Sequence, residues 1–268
     1  MKRRDFLAGS AAAGLAFGGA GVGRGAEGEG GKQLLELRIY HFATPAKQAA
    51  FDAFLGATAI PALNRIGIQP VGVFKQLQAD NPELKMAADG TDLYVLIPYN
   101  SAEAFVSMLG RLIEEGSIAQ GDESILAPPK DDPAYQDFES SLLLAFDEAP
   151  KVEAPTKAET RLMQLRIYQS HSDERALKKI QMFNQGGEIA LFRRVGMTPV
   201  FFGQALTGSN LPHLTYMLGF ESPAAQKKAW DAFRQDAGWK TLSKDPEYAD
   251  TVSKITNIIL RPAKSSQI

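Results

Sequence analysis

The chain contains no cysteine. Disulfides, thiolate nucleophiles and Cys-ligated zinc or iron–sulfur centres are therefore excluded. Histidine is nearly absent too: His41, His171 and His213 are the whole set, and they form no His-x-Glu-x-His or i, i+4 pair. Charge of one sign is missing. The 29 Lys and Arg against 31 Asp and Glu give a formal net charge of -2, so no global basic field points to nucleic acid. No apolar run approaches the roughly 20 residues that a membrane-spanning helix requires. There is no Gly-rich phosphate loop after a strand, no G-x-S-x-G elbow and no pair of carboxylates at a catalytic spacing.

What is present is a repetition. Glu36-Leu37-Arg38-Ile39-Tyr40 returns as Gln164-Leu165-Arg166-Ile167-Tyr168, and an internal repeat constrains architecture before any single residue is interpreted. In the first copy Leu35, Leu37 and Ile39 alternate with Glu36, Arg38 and Tyr40, the period of a half-buried strand. Thr44 then caps a helix opened by Pro45, and Pro61 inside its apolar pattern predicts a kink or split. Strands are predicted at Pro70–Leu77, Leu93–Tyr99 and Leu142–Phe146, with a helix from Ser101 to about Ile113.

The second copy repeats the order. Its strands are predicted at Leu162–Tyr168, Val200–Gln204, Leu214–Phe220 and Thr256–Leu260. A helix over Asp173–Val195 is weakened at Gly186-Gly187, and Ser222-Pro223 opens another. Each copy reads β-α-β-β-α-β, the ferredoxin-like unit. The expected fold class is α+β, with two tandem ferredoxin-like units forming an α/β barrel of the dimeric type. The organisation follows as repeat one over residues 33–147, a Pro- and charge-rich linker over 148–160 and repeat two over 161–264.

Residues 1–32 read as a targeting segment with a flexible N-terminus. Arg3-Arg4 precede Phe6-Leu7 and a soft Ala/Gly-rich stretch, a pattern that resembles a twin-arginine export signal. No A-x-A site follows that stretch; cleavage within Gly21–Gly31 and retention as an anchor both fit. The expected location is periplasmic or otherwise extracytoplasmic.

The Glu-Leu-Arg-Ile-Tyr start, the Arg65–Gly72 turn and above all the Phe233-Arg234-x-Asp236-x-x-Trp239 segment resemble the NIPSNAP family. The resemblance implies a dimeric α/β-barrel fold and no particular reaction. The wider barrel superfamily includes cofactor-independent monooxygenases and haem-binding enzymes, so fold alone is a poor guide to chemistry. Repeat one has Leu109–Glu115 in place of the Phe-Arg-x-Asp-x-x-Trp segment, so any function is expected to be asymmetric.

Two sets of residues carry the candidate chemistry. If the leucine face of each first strand packs on helices, Arg38, Tyr40, Arg166 and Tyr168 point into an inter-sheet cavity. There they could bind an anionic or aromatic ligand, with Arg as a carboxylate clamp. The bland alternative is a polar interface in which Arg38 pairs with Glu36. His41 and His171, at the strand ends, could serve a ligand or shuttle protons, or simply satisfy surface loops. Phe233, Arg234, Asp236 and Trp239 read as structural, with Asp236 capping the next turn, or as a lid over the cavity. No metal ligands stand out, and no cofactor is specified.

Three functions compete. The first is an exported small-molecule-binding protein or oxygenase-like enzyme that uses the inter-sheet cavity. The second is a non-catalytic module acting by protein association, and the third is a haem-binding protein. The expected partners are a small molecule and the other half of the chain in an intramolecular pseudo-dimer, with homo-oligomerisation open. Nucleic acid is not expected, nor is a spanning membrane segment.

Overall fold

The computed structural model of the protein describes residues 31–268; residues 1–30, on which the export-signal reading falls, lie outside the described residues. The described elements run in the order of the duplication. Strand β1 (Leu34–His41) leads to helices α1 (Pro45–Phe54) and α2 (Ile60–Arg65), then to strands β2 (Gly72–Gln76) and β3 (Leu93–Tyr99). Helices α3 (Ala102–Glu115) and α4 (Glu123–Leu126) and strand β4 (Asp137–Ala145) complete repeat one. Repeat two contains β5 (Leu162–Gln169), α5 (Asp173–Phe183), α6 (Glu188–Arg194), β6 (Thr198–Thr207), β7 (His213–Phe220), α7 (Pro223–Gln235), α8 (Ala237–Leu242) and β8 (Lys254–Pro262).

Local chemistry sets the element ends, at Thr44, Ser101 and Ser222 as expected and at Ser172 in addition. The side chains of Thr44, Ser101, Ser172 and Ser222 each accept a hydrogen bond from the backbone N–H three residues on, satisfying donors that the first helical turn leaves free. Pro61 falls where the first helix of repeat one divides into α1 and α2, without ending the helical run. A single π-helical stretch, Leu55–Ala59, precedes it and lets the chain run on into α2 with Pro61 in that helix's first turn, where its missing N–H is harmless. The helix expected over 173–195 is two helices. Asn184 to Gly187 interrupt it, and Gly187, at φ +80°, takes the left-handed conformation that a glycine adopts freely. Strands β4 and β6 begin or end several residues beyond the predicted apolar runs, because ladder pairing extends into polar residues such as Asp137 and Thr207.

The eight strands close into one barrel in the order β1-β3-β2-β8-β5-β7-β6-β4. Within each repeat the order is that of the ferredoxin-like sheet: the last strand, the first, the third and the second. Antiparallel pairs β2–β8 and β4–β6 join the two sheets, so the repeats pair within one chain and no sheet edge stays open. The barrel interior is apolar and filled. Leu35, Leu37, Phe74, Leu96, Leu143, Met163, Leu165, Phe201, Met217 and Leu260 form one buried cluster there. At roughly 2 kcal/mol per fully buried large apolar side chain, this layer is a principal source of stability.

Two further cores lie outside the barrel, between each sheet and its helices. One holds Tyr40, Phe51, Leu63, Val95 and Tyr99; the other holds Tyr168, Phe183, Phe192, Tyr216 and Phe233. This arrangement corrects the expected orientation of the first strands. Leu35, Leu37 and their repeat-two counterparts Met163 and Leu165 face the barrel interior. Arg38 and Tyr40, and likewise Arg166 and Tyr168, face the helix layers, so the two pairs sit in separate cores and do not converge on a shared inter-sheet cavity. What remains open inside the barrel is a mouth of about 160 Å3 lined by Leu37, Ile39, Ile167, His213 and Thr215, among others.

Candidate functional site

The same strand position carries opposite chemistry in the two repeats. In repeat one, Glu36 accepts from Arg38 at both oxygens, Nε to Oε1 at 2.7 Å and Nη2 to Oε2 at 3.0 Å. Tyr99 donates to Oε2 at 2.7 Å and Ser140 to Oε1 at 2.8 Å. Burial by itself would raise the Glu36 carboxyl. The hydrogen bonds and charge of Arg38, with the Tyr99 and Ser140 donors, outweigh that and hold it below its ordinary value. Arg38 also donates to the Tyr40 hydroxyl at 3.2 Å. This set is closed on itself: a largely buried cation faces a buried anion, and each of the three guanidinium nitrogens donates to a partner. It matches the bland alternative for Arg38.

Repeat two has glutamine where that carboxylate would be. Gln164 Oε1 accepts from Trp230 Nε1 at 2.7 Å and from Gln226 Nε2 at 3.0 Å, while its own Nε2 donates to Asn257 at 2.6 Å. The amide is fully engaged and offers Arg166 nothing. Arg166 Nε is buried without a hydrogen-bond partner, and the guanidinium forms no salt bridge among the described residues. It is held instead by aromatic faces, 5.0 Å from the Trp230 centroid, 5.1 Å from Tyr168 and 5.9 Å from Tyr216.

Around Arg166 lies a cavity of about 490 Å3, between strands β5 and β8 and helices α6, α7 and α8. Gln164, Arg166, Tyr168, Glu188, Phe192, Trp230, Phe233, Arg234, Trp239 and Asn257 line it. The volume falls in the range of small-molecule sites. The lining is half aromatic and half polar or charged, five residues of each kind. Both tryptophans of the chain are in this wall. The aromatic packing is continuous: Phe233 sits 4.5 Å from Trp239 and 4.7 Å from Phe192, centroid to centroid, and edge-on to Trp230 at 5.7 Å.

The turn chemistry of repeat two builds this wall. Asp236 ends α7 and caps α8, its Oδ1 accepting from the Gly238 and Trp239 N–H groups at 2.7 and 3.2 Å. Its carboxylate also takes Arg194 of α6 at 2.6 and 3.2 Å, which ties α8 to α6 and aims Trp239 at the cavity. Gly238 makes the approach possible, since a Cβ there would lie 2.9 Å from Leu191. Gly186, where a Cβ would lie 2.5 Å from the Met182 carbonyl oxygen, lets the chain turn sharply enough to place Glu188 beneath Lys179.

Glu188 is 2 % exposed, and its Oε2 accepts from the buried Lys179 Nζ at 2.7 Å. Burial raises its carboxyl above the ordinary range; the charges of Lys179 and Arg166 pull it down only in part. Burial likewise raises Tyr168 and Tyr216, whose hydroxyls are 3.0 Å apart, so both are neutral phenols near pH 7.

Of the residues singled out from sequence, Arg166, Tyr168, Phe233, Arg234 and Trp239 meet at this one cavity; Asp236 braces it. Arg234 stands at its rim and pairs with Asp231 at 2.6 Å. Arg38 and Tyr40 are across the molecule in the repeat-one core. None of the three histidines lines the cavity. His41 is bonded to Asp92 at 2.9 Å, which raises it above its ordinary value against a smaller effect of burial. His171 lies 3.8 Å from Asp250, and His213, buried beside the barrel mouth, is pushed down by burial. Sequence reasoning missed Gln164, Glu188, Trp230 and Asn257. The available signal was the Glu36-to-Gln164 difference inside an otherwise repeated pentapeptide.

Comparison with known proteins agrees with the asymmetry. Residues 163–267, essentially repeat two, match the model of the NIPSNAP family. No curated protein sequence matches the chain. Among solved structures, a candidate monooxygenase from Fusobacterium nucleatum subsp. nucleatum superposes with TM-score 0.55 at 11% identity, covering 87% of this chain and 94% of its own. A candidate monooxygenase from Lactobacillus acidophilus gives TM-score 0.55 at 12% identity over 86% and 94%. A NIPSNAP-like domain protein from Burkholderia xenovorans is 20% identical over 41% of this chain and 91% of its own, with TM-score 0.37. At these identities the likeness is one of fold.

Proposed function

We propose that the region matching the NIPSNAP family model, residues 163–267, binds a small organic molecule in the cavity between its sheet and its helices. The observation that carries the reading is the 490 Å3 space walled by Tyr168, Phe192, Trp230, Phe233 and Trp239, with the unpaired Arg166 in its floor. The family segment at Phe233–Trp239 supplies part of that wall, which gives it a role beyond holding α7 to the sheet. Repeat one keeps the strand motif but closes it on Glu36. Repeat one also has a cavity, of about 430 Å3 beside Asp52, Lys75 and Lys264, but no aromatic side chain lines it. The binding proposed is that of repeat two, at a site outside the barrel rather than between its sheets.

The enzymatic form of this reading is an oxygenase-like reaction on the bound molecule, suggested by the names of two barrel neighbours. Dioxygen uptake in the presence of the bound molecule tests that form. Native mass spectrometry of folded protein from its own host tests binding itself. A small molecule should co-purify with the wild type and with Arg38→Ala, and be lost from Arg166→Ala. Wild-type protein free of any bound molecule, whose tryptophan emission also fails to respond to a metabolite library, would refute the reading.

One surface favours a second reading, association with another protein. On α3, Val106, Leu109 and Ile113 are 75%, 66% and 72% exposed along one face. The corresponding positions of α7 are Lys227, Trp230 and Arg234, of which Trp230 turns to the cavity. A Val106→Glu/Ile113→Lys variant that leaves elution volume and mass in light scattering unchanged would remove a self-association role for it.

A further inference from the structure

We propose that the occupant of the repeat-two cavity is a monoanionic carboxylate with an aromatic or apolar body, its carboxylate seated on Arg166. The inference rests on the binding role just assigned to the cavity and adds the chemical class of what fills it.

Repeat one supplies the template. There the chain itself provides a carboxylate, Glu36, at the fork of Arg38, with Nε and Nη2 donating to separate oxygens. Such two-pronged pairing suits the planar guanidinium and the planar carboxylate. The strand registers put the two sites in correspondence. Arg38 lies opposite Ser140 as Arg166 lies opposite Asn257, and Leu34 lies opposite Tyr99 as Leu162 lies opposite Phe220. Repeat two has thus exchanged the internal carboxylate, Glu36 for Gln164, and both hydroxyls that donate to it, Tyr99 for Phe220 and Ser140 for Asn257. The arginine alone is retained, and it is left with a buried Nε that donates to nothing.

Charge balance gives the valence. The charged groups packed in this layer are Arg166 from β5, Lys179 from α5 and Glu188 from α6; Lys179 and Glu188 cancel at 2.7 Å. Tyr168 and Tyr216 are neutral. At the exposed rim, Arg234 and Lys227 share Asp231. In the floor of the cavity one positive charge, Arg166, remains uncompensated, which a single carboxylate neutralises. A phosphate dianion would bring a surplus charge there, and the other cation lining the cavity, Arg234, is bonded to Asp231 at the rim. The walls specify the rest of the molecule. Phe192, Trp230, Phe233 and Trp239 offer apolar faces, while Gln164 and Asn257 are already bonded to each other.

The test uses the full chain, whose two tryptophans both line the cavity and so report on it directly. Their emission is titrated with 3-phenylpropanoate, with its neutral amide 3-phenylpropanamide and with inorganic phosphate. The carboxylate should bind at least about tenfold tighter than the amide, since only the anion forms charge-assisted bonds to Arg166. Gln164→Glu should remove carboxylate binding by giving Arg166 the internal partner that Arg38 has, and its thermal melt shows independently that it folds. Equal binding of amide and carboxylate would overturn the carboxylate assignment while leaving the cavity as a binding site. Tighter binding of phosphate, an undiminished response in Gln164→Glu, or no response to 3-phenylpropanoate would overturn it as well. The co-purification experiment separately decides whether the cavity binds anything.

Discussion

Exchanging the glutamate and glutamine of the two repeats should move stability in opposite directions. Glu36→Gln replaces one carboxylate oxygen by an NH2 group. Each oxygen accepts two bonds, from Arg38 and Ser140 at Oε1 and from Arg38 and Tyr99 at Oε2. Whichever way the amide turns, one Arg38 N–H then faces an N–H, the hydroxyl beside it must turn round to accept, and the largely buried Arg38 loses its counter-charge. Breaking a buried pair from one side costs about 3–5 kcal/mol. For a chain of this size, at about 2–4 °C per kcal/mol, the midpoint should fall by roughly 6–20 °C.

Gln164→Glu does the reverse. It brings a carboxylate to an arginine whose Nε is buried and unpaired. Trp230 and Gln226 can still donate to it, and Asn257 can turn its amide to do so. New charge-assisted bonds worth about 1.5–3 kcal/mol each are offset by the several kcal/mol it takes to bury the new charge. The net should lie near zero to about 2 kcal/mol of stabilisation, a midpoint at or a few degrees above wild type. Circular dichroism melts of both variants at neutral pH, without added ligand, measure the pair. If Gln164→Glu lowers the midpoint as far as Glu36→Gln does, Arg166 is not short of a carboxylate and the charge reasoning fails.

Other outcomes follow from the same geometry. Glu36 is held below its ordinary value of 4.5, so its stabilising contribution is present above that pH and is lost as pH falls through the depressed folded-state value. The urea midpoints of wild type and Glu36→Gln, well apart at neutral pH, should therefore converge in acid; a constant gap would contradict the assignment. Phe233→Ala, which empties the contact among Phe192, Trp230 and Trp239, should cost about 3–5 kcal/mol in urea unfolding. Asp236→Ala should lower the urea midpoint through the lost α8 cap and shift the Trp239 emission to longer wavelength; an unchanged spectrum would show that α8 does not depend on that cap. Lys179→Met leaves Glu188 buried without its partner and should cost about 3–5 kcal/mol, most of it recovered in Lys179→Met/Glu188→Leu.

Much of the fold was legible because its signals are local. Thr44, Ser101, Ser172 and Ser222 announce helix starts through a hydrogen bond spanning three residues. The Gly186-Gly187 break is a property of two residues, and Asp236 caps α8 as its position suggested. Pro61 marked where the α-helix divides into α1 and α2, and the π-helical stretch before it keeps the chain helical across the division. The site was half legible. Arg166, Tyr168 and the Phe233–Trp239 segment stand out in the sequence, but the cavity they share lies between sheet and helices rather than between the sheets. Glu188 carries no local signal. It matters only because the turn before α6 brings it under Lys179, nine residues earlier in the chain.

By itself, the amino-acid sequence determined that the chain is a duplicated β-α-β-β-α-β unit, where most of its elements lie, and which residues of β1 and β5 share a face. Two-residue periodicity and capping are written into neighbouring residues. Only the tertiary structure decided which way those faces point. Both sides of each sheet are covered, one by the opposite sheet and one by helices, and alternation cannot tell one cover from the other. Closure of the barrel left the narrow interior to Leu35, Leu37, Met163 and Leu165, which need no hydrogen bonds. It turned the arginines outward, where Arg38 meets Glu36 and Arg166 meets an unfilled space.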